Sequence, residues 1–251
     1  MRIAALYDVH GNVPALEAVL REVESAGVDL IVLGGDVSLG PMPTETLELL
    51  WELGDRVLGL HGNTDREQVT VFDGGPPNSR MREPVRESVV WSARALTHRH
   101  RDYLAGLPPT LTFEVDGVGR VLFCHATPQN DEDIFTAESA DERVLPMLAG
   151  VDADLVVCGH THMQFDRWFE NVRVVNAGSV GMPFAEPGAY WLLLGPAVEL
   201  RRTEYDLEDA AARVRGTAYP MAEEFAATNV LRPPSAADMT ARFEQAVAGQ
   251  G

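Results

Sequence analysis

Aspartate and histidine stand two residues apart in Asp8-Val9-His10-Gly11-Asn12, directly after the apolar run Ile3-Ala4-Ala5-Leu6-Tyr7. Alone, an Asp-x-His pair specifies little. The chain repeats the theme, however. Asp36 follows Ile31-Val32-Leu33-Gly34-Gly35, His61 and Asn63 follow the run 56–60, His125 follows Val121-Leu122-Phe123-Cys124, and His160 and His162 follow Leu155-Val156-Val157-Cys158. Five of the seven histidines thus stand where a strand-like run ends. Converging Asp, His and Asn side chains suit a borderline or hard divalent ion such as Mn²⁺, Fe²⁺ or Zn²⁺. Cys124 and Cys158 are not at ligand spacing; they read as buried, reduced thiols, and a thiolate zinc site is not expected. His160 and His162 would point to opposite faces of an extended backbone. A loop, or two ions side by side, resolves that.

These residues can meet only if the runs before them lie side by side. The first half alternates strand 2–7, helix 13–26, strand 30–33, helix 44–53 with Thr44 as N-cap, and strand 56–60. A βαβαβ order implies a parallel sheet, and such sheets bind ligands at the carboxyl ends of their strands. Residues 66–109 break the alternation and read as a helical cap or insertion, with 84–104 helical in one or two pieces. Strands follow at 111–115, 120–124, 155–158, 164–169, 172–175, 190–194 and 198–203, with a helix at 138–148. Residues 204–251 read as a helical tail with helices at 206–215, 220–227 and 236–247 and a frayed end. Two sheets packed on each other with helices outside, in one domain over 1–251, fit this count.

The chain has 251 residues, 45% hydrophobic and 23% charged, which allows a sizeable core. Its net charge of −18 opposes broad contact with duplex nucleic acid or an anionic membrane. It does not oppose a small phosphorylated substrate, because bound cations reverse the local sign. No apolar run approaches the ~18 residues of a membrane span, and Met1-Arg2 leads straight into a strand, so a cytoplasmic protein is expected. Trp51, Trp91, Trp168 and Trp191 read as core, and His98 and His100 as a solvated helix face. A homodimer through cap or tail is compatible with the sequence.

The order Asp8-x-His10, Gly35-Asp36, Gly62-Asn63-x-Asp65, His125, Gly159-His160-x-His162 resembles the calcineurin-like metallophosphoesterase superfamily. Asn176-Ala177-Gly178-Ser179-Val180-Gly181 and His125-Ala126-Thr127-Pro128 resemble loops of its small bacterial and archaeal phosphodiesterase-like members. The resemblance implies an α/β (α+β) fold, a four-layer αββα sandwich of two mixed sheets flanked by helices, here with a helical cap. It implies two metal ions ~3.5–4 Å apart. Asp8, His10, Asp36 and His162 would hold one; Asp36, Asn63, His125 and His160 the other, with Asp36 shared. A hydroxide between them would attack phosphorus in line. Mn²⁺ is the first choice, with Fe, Ni or Zn as alternatives. The implied activity is a phosphodiesterase for a small phosphoester or nucleotide-type substrate. A diadenosine-tetraphosphatase-like or protein-phosphatase-like hydrolase, or a metal-retaining protein-binding scaffold, are the alternatives.

Many members carry a histidine where this chain has Thr64. Its proton-donor role typically contributes ~10²–10⁴-fold. His61 is the nearest spare imidazole in sequence. The expected catalytic set is therefore Asp36, Asn63, Asp65 and His61, with Asp65 orienting a ligand. Asn12, Arg66, Gly178 and Ser179 are the expected substrate contacts.

Overall fold

The computed structural model describes residues 1–249; the expected fraying falls in part on 250–251, outside them. Strand β1 (Ile3–Leu6) is buried on both faces, with Ile3 and Ala5 in one core and Ala4 and Leu6 in another. Side chains alternate along a strand, and this one carries no polar residue. Helix α1 (Val13–Ala26) starts at the Asn12 cap and stops at Gly27, which takes a left-handed conformation (φ 61°). Strand β2 (Leu30–Leu33), helix α2 (Pro43–Trp51) and strand β3 (Val57–Gly59) follow. The cap of α2 is Met42 rather than Thr44, because Pro43 takes the first helical position, for which its fixed φ is suited.

Helix α3 (Asn63–Phe72) carries the strand–helix alternation a little further than expected, into the start of the 66–109 segment. The Asp65 carboxylate accepts from the Gly62 N–H at 2.9 Å and so starts the helix within the motif itself. Helices α4 (Glu83–Ala95) and α5 (His98–Ala105) are the two pieces expected beyond it. Strands β4 (Thr110–Val115) and β5 (Gly119–Cys124) form a hairpin. The helix expected over 138–148 is a single turn, α6 (Asp141–Val144), and a 3₁₀ turn, because Pro146 cannot donate to a continuing helix. The chain ends with β6 (Leu155–Cys158), β7 (Phe165–Phe169), β8 (Val172–Asn176), β9 (Ala189–Leu194), β10 (Val198–Thr203), α7 (Leu207–Arg215), α8 (Ala222–Phe225), a π-helical turn (Ala226–Leu231) and α9 (Ala236–Ala248).

The strands form two mixed five-stranded sheets, ordered β10-β9-β1-β2-β3 and β4-β5-β6-β8-β7. They face each other across a core of Ile3, Tyr7 and Val32 from one sheet and Phe123, Val157 and Val175 from the other. Leu16, Val19, Leu47 and Leu50 of α1 and α2 cover the outer face of the first sheet. Val144 and Leu148 cover that of the second. The expected sandwich is the fold this chain adopts. Helix α7 packs beside Val13 and Met42 through Ala210 and Val214, which brings the tail to the strand ends.

Two surface expectations are corrected. His100 is buried, with Nε2 3.0 Å from Glu48 and Nδ1 accepting from the Thr97 N–H. Trp168 is 59% exposed, because β7 is an edge strand and position 168 alternates outward. Both cysteines are free and buried. No helix among the described residues is long and apolar enough to cross a membrane.

Candidate metal centre

The loops after β1 and β2 are laced together: the Asp8 N–H donates to the Gly35 carbonyl (3.1 Å) and the His10 N–H to the Asp36 carbonyl (3.0 Å). Asp8, His10, Asp36, His160 and His162 all adopt left-handed backbone, with φ from 48° to 63°. For non-glycine residues that conformation costs ~1–2 kcal/mol each and persists where the surroundings enforce it, typically at functional sites. It also answers how His160 and His162, two residues apart, turn into one region. The motif glycines admit the carboxylates: a Cβ on Gly62 would lie 2.2 Å from Asp36 Oδ1, and one on Gly159 would lie 2.5 Å from Asp8 Oδ2.

Three imidazoles are aimed by their Nδ1 atoms. His10 Nδ1 meets the Leu39 carbonyl (3.2 Å), His125 Nδ1 that of Gly34 (2.8 Å) and His162 Nδ1 that of Met182 (2.7 Å). A carbonyl accepts only, so Nδ1 carries the proton and Nε2 presents a lone pair. The Nε2 atoms of His10 and His162 are then 3.3 Å apart, lone pair toward lone pair, an arrangement that calls for a cation. Asp8 Oδ1 lies 3.3 Å from His162 Nε2, 3.8 Å from His10 Nε2 and 3.9 Å from His125 Nε2. Asp36 Oδ2 lies 3.8 Å from His10 Nε2 and 3.6 Å from His125 Nε2. Asp8 Oδ1, Asn63 Oδ1 and His125 Nε2 are buried without a hydrogen bond. Such atoms are seldom left unpaired, and all three are of kinds that can ligate a metal ion.

Two donor triads result, Asp8–His10–His162 and Asp8–Asp36–His125, each with its donor atoms within 4.8 Å of one another. These residues fit a pair of divalent ions. Asp36 belongs to one triad, and its Oδ2 lies 3.8 Å from His10 Nε2 of the other. Asp8, expected on one ion only, belongs to both triads. His160 stands outside the two triads; its ring lies edge-on to His125 at 5.1 Å, and it lines the adjoining cleft.

Charge follows this geometry. Burial pushes the Asp8 carboxyl up, but His162, His125 and His10 outweigh it and hold it well below the usual carboxylate range. Burial lowers His125 and His162, yet Asp36 and Asp8 raise both on balance. In His10 burial prevails and the imidazole is lowered. Burial and then His125 bring His160 to about 4, which leaves it a neutral donor near pH 7.

The supporting residues correct several expectations. Asp65 is fully buried, and its carboxylate accepts from the N–H groups of Asp36 (2.7 Å), Val37 (3.1 Å) and Gly62 (2.9 Å). Burial and the neighbouring Asp36 push it up to about 6. It grips the candidate-ligand loops from behind. Asn12 is fully buried, capping α1 and donating to the Gly181 carbonyl (3.0 Å). Ser179 is fully buried, its hydroxyl donating to the Asp8 carbonyl and accepting from the Met182 N–H, both at 2.8 Å. Gly178 is buried at a left-handed bend against Gln164 and Tyr190. All three are buried, and the Asn12 and Ser179 side chains spend their hydrogen bonds on the loops around the site.

Arg66 is also occupied, by a two-pronged pair with Asp131 (2.7 and 2.8 Å) and by Glu132 at 3.1 Å. His61 Nδ1 is 3.3 Å from the same Asp131. Both line a separate hollow of about 420 Å³ with His125. Neither lines the main cleft.

That cleft, about 500 Å³, has His10, Asp36, Asn63, Thr64, His160 and His162 on its floor. Met182 and Phe184, Arg82 and Val85 beside and within α4, and tail residues including Tyr219, Met221, Phe225, Asn229 and Arg242 form its walls. The tail wall was not expected. Its only sequence signal is apolar residues at 219, 221, 225 and 230 beyond the last strand.

Comparison with known proteins gives the family. Residues 1–194 match the calcineurin-like phosphoesterase superfamily domain. An uncharacterized protein of Methanocaldococcus jannaschii is 25% identical over 239 residues, covering 84% of this chain and 91% of that one. A hypothetical protein of Pyrococcus horikoshii OT3 shares the fold with a TM-score of 0.78 at 20% identity, over 93% of this chain and 99% of the other. A metallophosphoesterase of Sphaerobacter thermophilus aligns with a TM-score of 0.67 at 26% identity, over 90% and 97%. The chain therefore belongs to the calcineurin-like phosphoesterase superfamily.

Proposed function

We propose that this chain is a cytoplasmic, Mn²⁺-dependent phosphodiesterase for small, nucleotide-type phosphoesters, built as one domain with residues 66–109 as cap and the segment from 204 onward as tail. The observation that carries the reading is a cluster of two carboxylates and three oriented Nε2 atoms, of which Asp36, His10 and His162 reach the floor of a cleft of about 500 Å³. Small-molecule sites fall in that size range, with apolar walls and a few polar groups. The tail wall and the net charge of −18 both disfavour duplex nucleic acid.

Two divalent ions held by Asp8, His10, Asp36, Asn63, His125, His160 and His162 would supply Lewis-acid neutralisation of phosphate oxygens and a water of lowered pKa. The chain does the rest. Asp8 and Asp36 bring the counter-charge, and the Leu39, Gly34 and Met182 carbonyls fix the three rings before substrate arrives. Asp65 holds the Asp36 loop from behind. Thr64 places a buried hydroxyl without a partner on the cleft floor. It can donate a hydrogen bond to a phosphoryl or leaving oxygen, but it does not give up a proton near neutrality. That favours esters with stable leaving groups. His61 lies outside this cleft, in the hollow with Asp131, which speaks against it as the replacement acid.

The test is a screen of phosphomonoesters and phosphodiesters with the Mn²⁺-loaded protein, with Asp36→Asn as control. Diester turnover lost in the control is the expected result. Hydrolysis of monoesters alone would move the assignment to a monoesterase. No turnover of any ester, with tight binding of a protein partner, would make the chain a scaffold.

A further inference from the structure

The chain between α8 and α9 forms a π-helical turn, Ala226–Leu231. Such turns are rare and recur at functional sites. This one carries Asn229, which lines the metal cleft and is only 9% exposed. Among the described residues its carboxamide makes no hydrogen bond, and from the cleft lining it is free to meet a ligand. The same cleft carries apolar surface. Phe184 lies over His162 with ring centroids 5.0 Å apart and 24° between planes, and Phe225 and Tyr219 stand in the tail wall. Arg82 and Arg242 line the same cleft, and neither pairs with a carboxylate among the described residues; Glu224 is the acidic residue of that wall.

We infer that Asn229 is a specificity-determining contact for the organic group of the substrate, a planar ring with a hydrogen-bonding edge of the kind a nucleobase presents. The inference rests on the phosphoesterase reading of this cleft. A carboxamide offers a donor and an acceptor in one plane, and a base edge offers the complement. An unsubstituted phenyl group fills the same apolar wall but leaves the amide unpaired. A site built to hydrogen-bond its ligand rejects the analogue that cannot. Arg82 and Arg242 supply positive charge for the ligand's phosphate on its way to the floor.

The experiment is calorimetric titration of the Mn²⁺-loaded protein with AMP, UMP and phenyl phosphate. Wild type, Asn229→Ala and Asn229→Asp are compared, the last keeping the volume but removing the donor. One nucleotide should bind wild type about tenfold more tightly than phenyl phosphate, and both variants should bring that ratio toward one. A ratio that survives in Asn229→Asp at an unchanged thermal midpoint overturns the inference, as does wild type binding phenyl phosphate as tightly as both nucleotides, or binding no nucleotide. Should Asn229→Ala not fold, Asn229→Asp decides. Binding is read without turnover. A nucleotide preference in a protein that hydrolyses nothing upholds the subsite and sinks the phosphoesterase reading. Hydrolysis without the preference does the reverse.

Discussion

Ser179 and Asp65 never face the cleft, yet both hold residues that do. The Ser179 hydroxyl joins the Asp8 carbonyl to the Met182 N–H, and the Met182 carbonyl in turn orients His162. Ser179→Ala leaves the part-buried Met182 N–H without that acceptor. We expect a loss of about 1–3 kcal/mol in stability. Mn²⁺ affinity should weaken ~10–100-fold, as for other partners behind a metal ligand. Thermal melts and Mn²⁺ titration read the two effects; an altered KM at an unchanged midpoint would return Ser179 to the substrate. Asp65→Asn turns one of the two accepting oxygens into an N–H₂ that opposes at least one of the three backbone N–H groups, and should also weaken Mn²⁺ binding ~10–100-fold. An unchanged Mn²⁺ affinity would show that Asp65 only starts α3. The candidate ligands were legible because their chemistry is tied to residue type at strand ends. The directions of Ser179 and Asn12 were not, because contacts 171 and 169 residues away set them.

At the scale of elements, strands were legible where apolar side chains fill both faces, as in β1, β2 and β6. The short helices were less so. Pro146 and the Asp65 cap redirect the chain against its periodicity, and the tail's role depends on where α7 lands. Helix α9 has no buried residue, yet it brings Met239 and Arg242 to the cleft. Glu244 secures it, accepting from the Thr136 hydroxyl (2.7 Å), the Ser139 hydroxyl and Arg143 (3.0 Å). Burial would raise the Glu244 carboxyl, but these donors outweigh it and hold it below its ordinary 4.5. A depressed carboxyl stabilises the fold above its unfolded value, and that contribution is lost as pH falls through the folded one. Hydrogen-exchange protection of α9 should therefore fall as pH drops below 4.5, while α1 keeps its protection. Glu244→Gln should loosen α9 by about 1–2 kcal/mol at neutral pH and flatten that dependence. Protection of α9 that does not respond to acid in wild type would mean apolar contacts such as Phe243 on Phe184 hold it instead.

Across the whole molecule, the candidate ligands come from loops of both sheets: Asp8, His10, Asp36 and Asn63 from the first, His125, His160 and His162 from the second. An ion bound among them cross-links the sandwich at the end where its strands stop. Binding to the folded state alone adds about 2.7 kcal/mol at a hundredfold excess over Kd. At this chain length that corresponds to a rise of about 5–10 °C in thermal midpoint. A net charge of −18 complicates the reading, because any divalent cation screens an acidic surface and stabilises it somewhat. Donor chemistry separates the two effects. Imidazole nitrogens favour Mn²⁺ or Zn²⁺ over Ca²⁺, whereas surface carboxylates do not require a transition ion. Mn²⁺ should therefore raise the midpoint well beyond equimolar Ca²⁺, chelator should reverse the rise, and Asp36→Asn should remove most of the difference. Equal shifts for Mn²⁺ and Ca²⁺, retained in Asp36→Asn, would assign the stabilisation to the acidic surface and leave the strand-end cluster without a metal role.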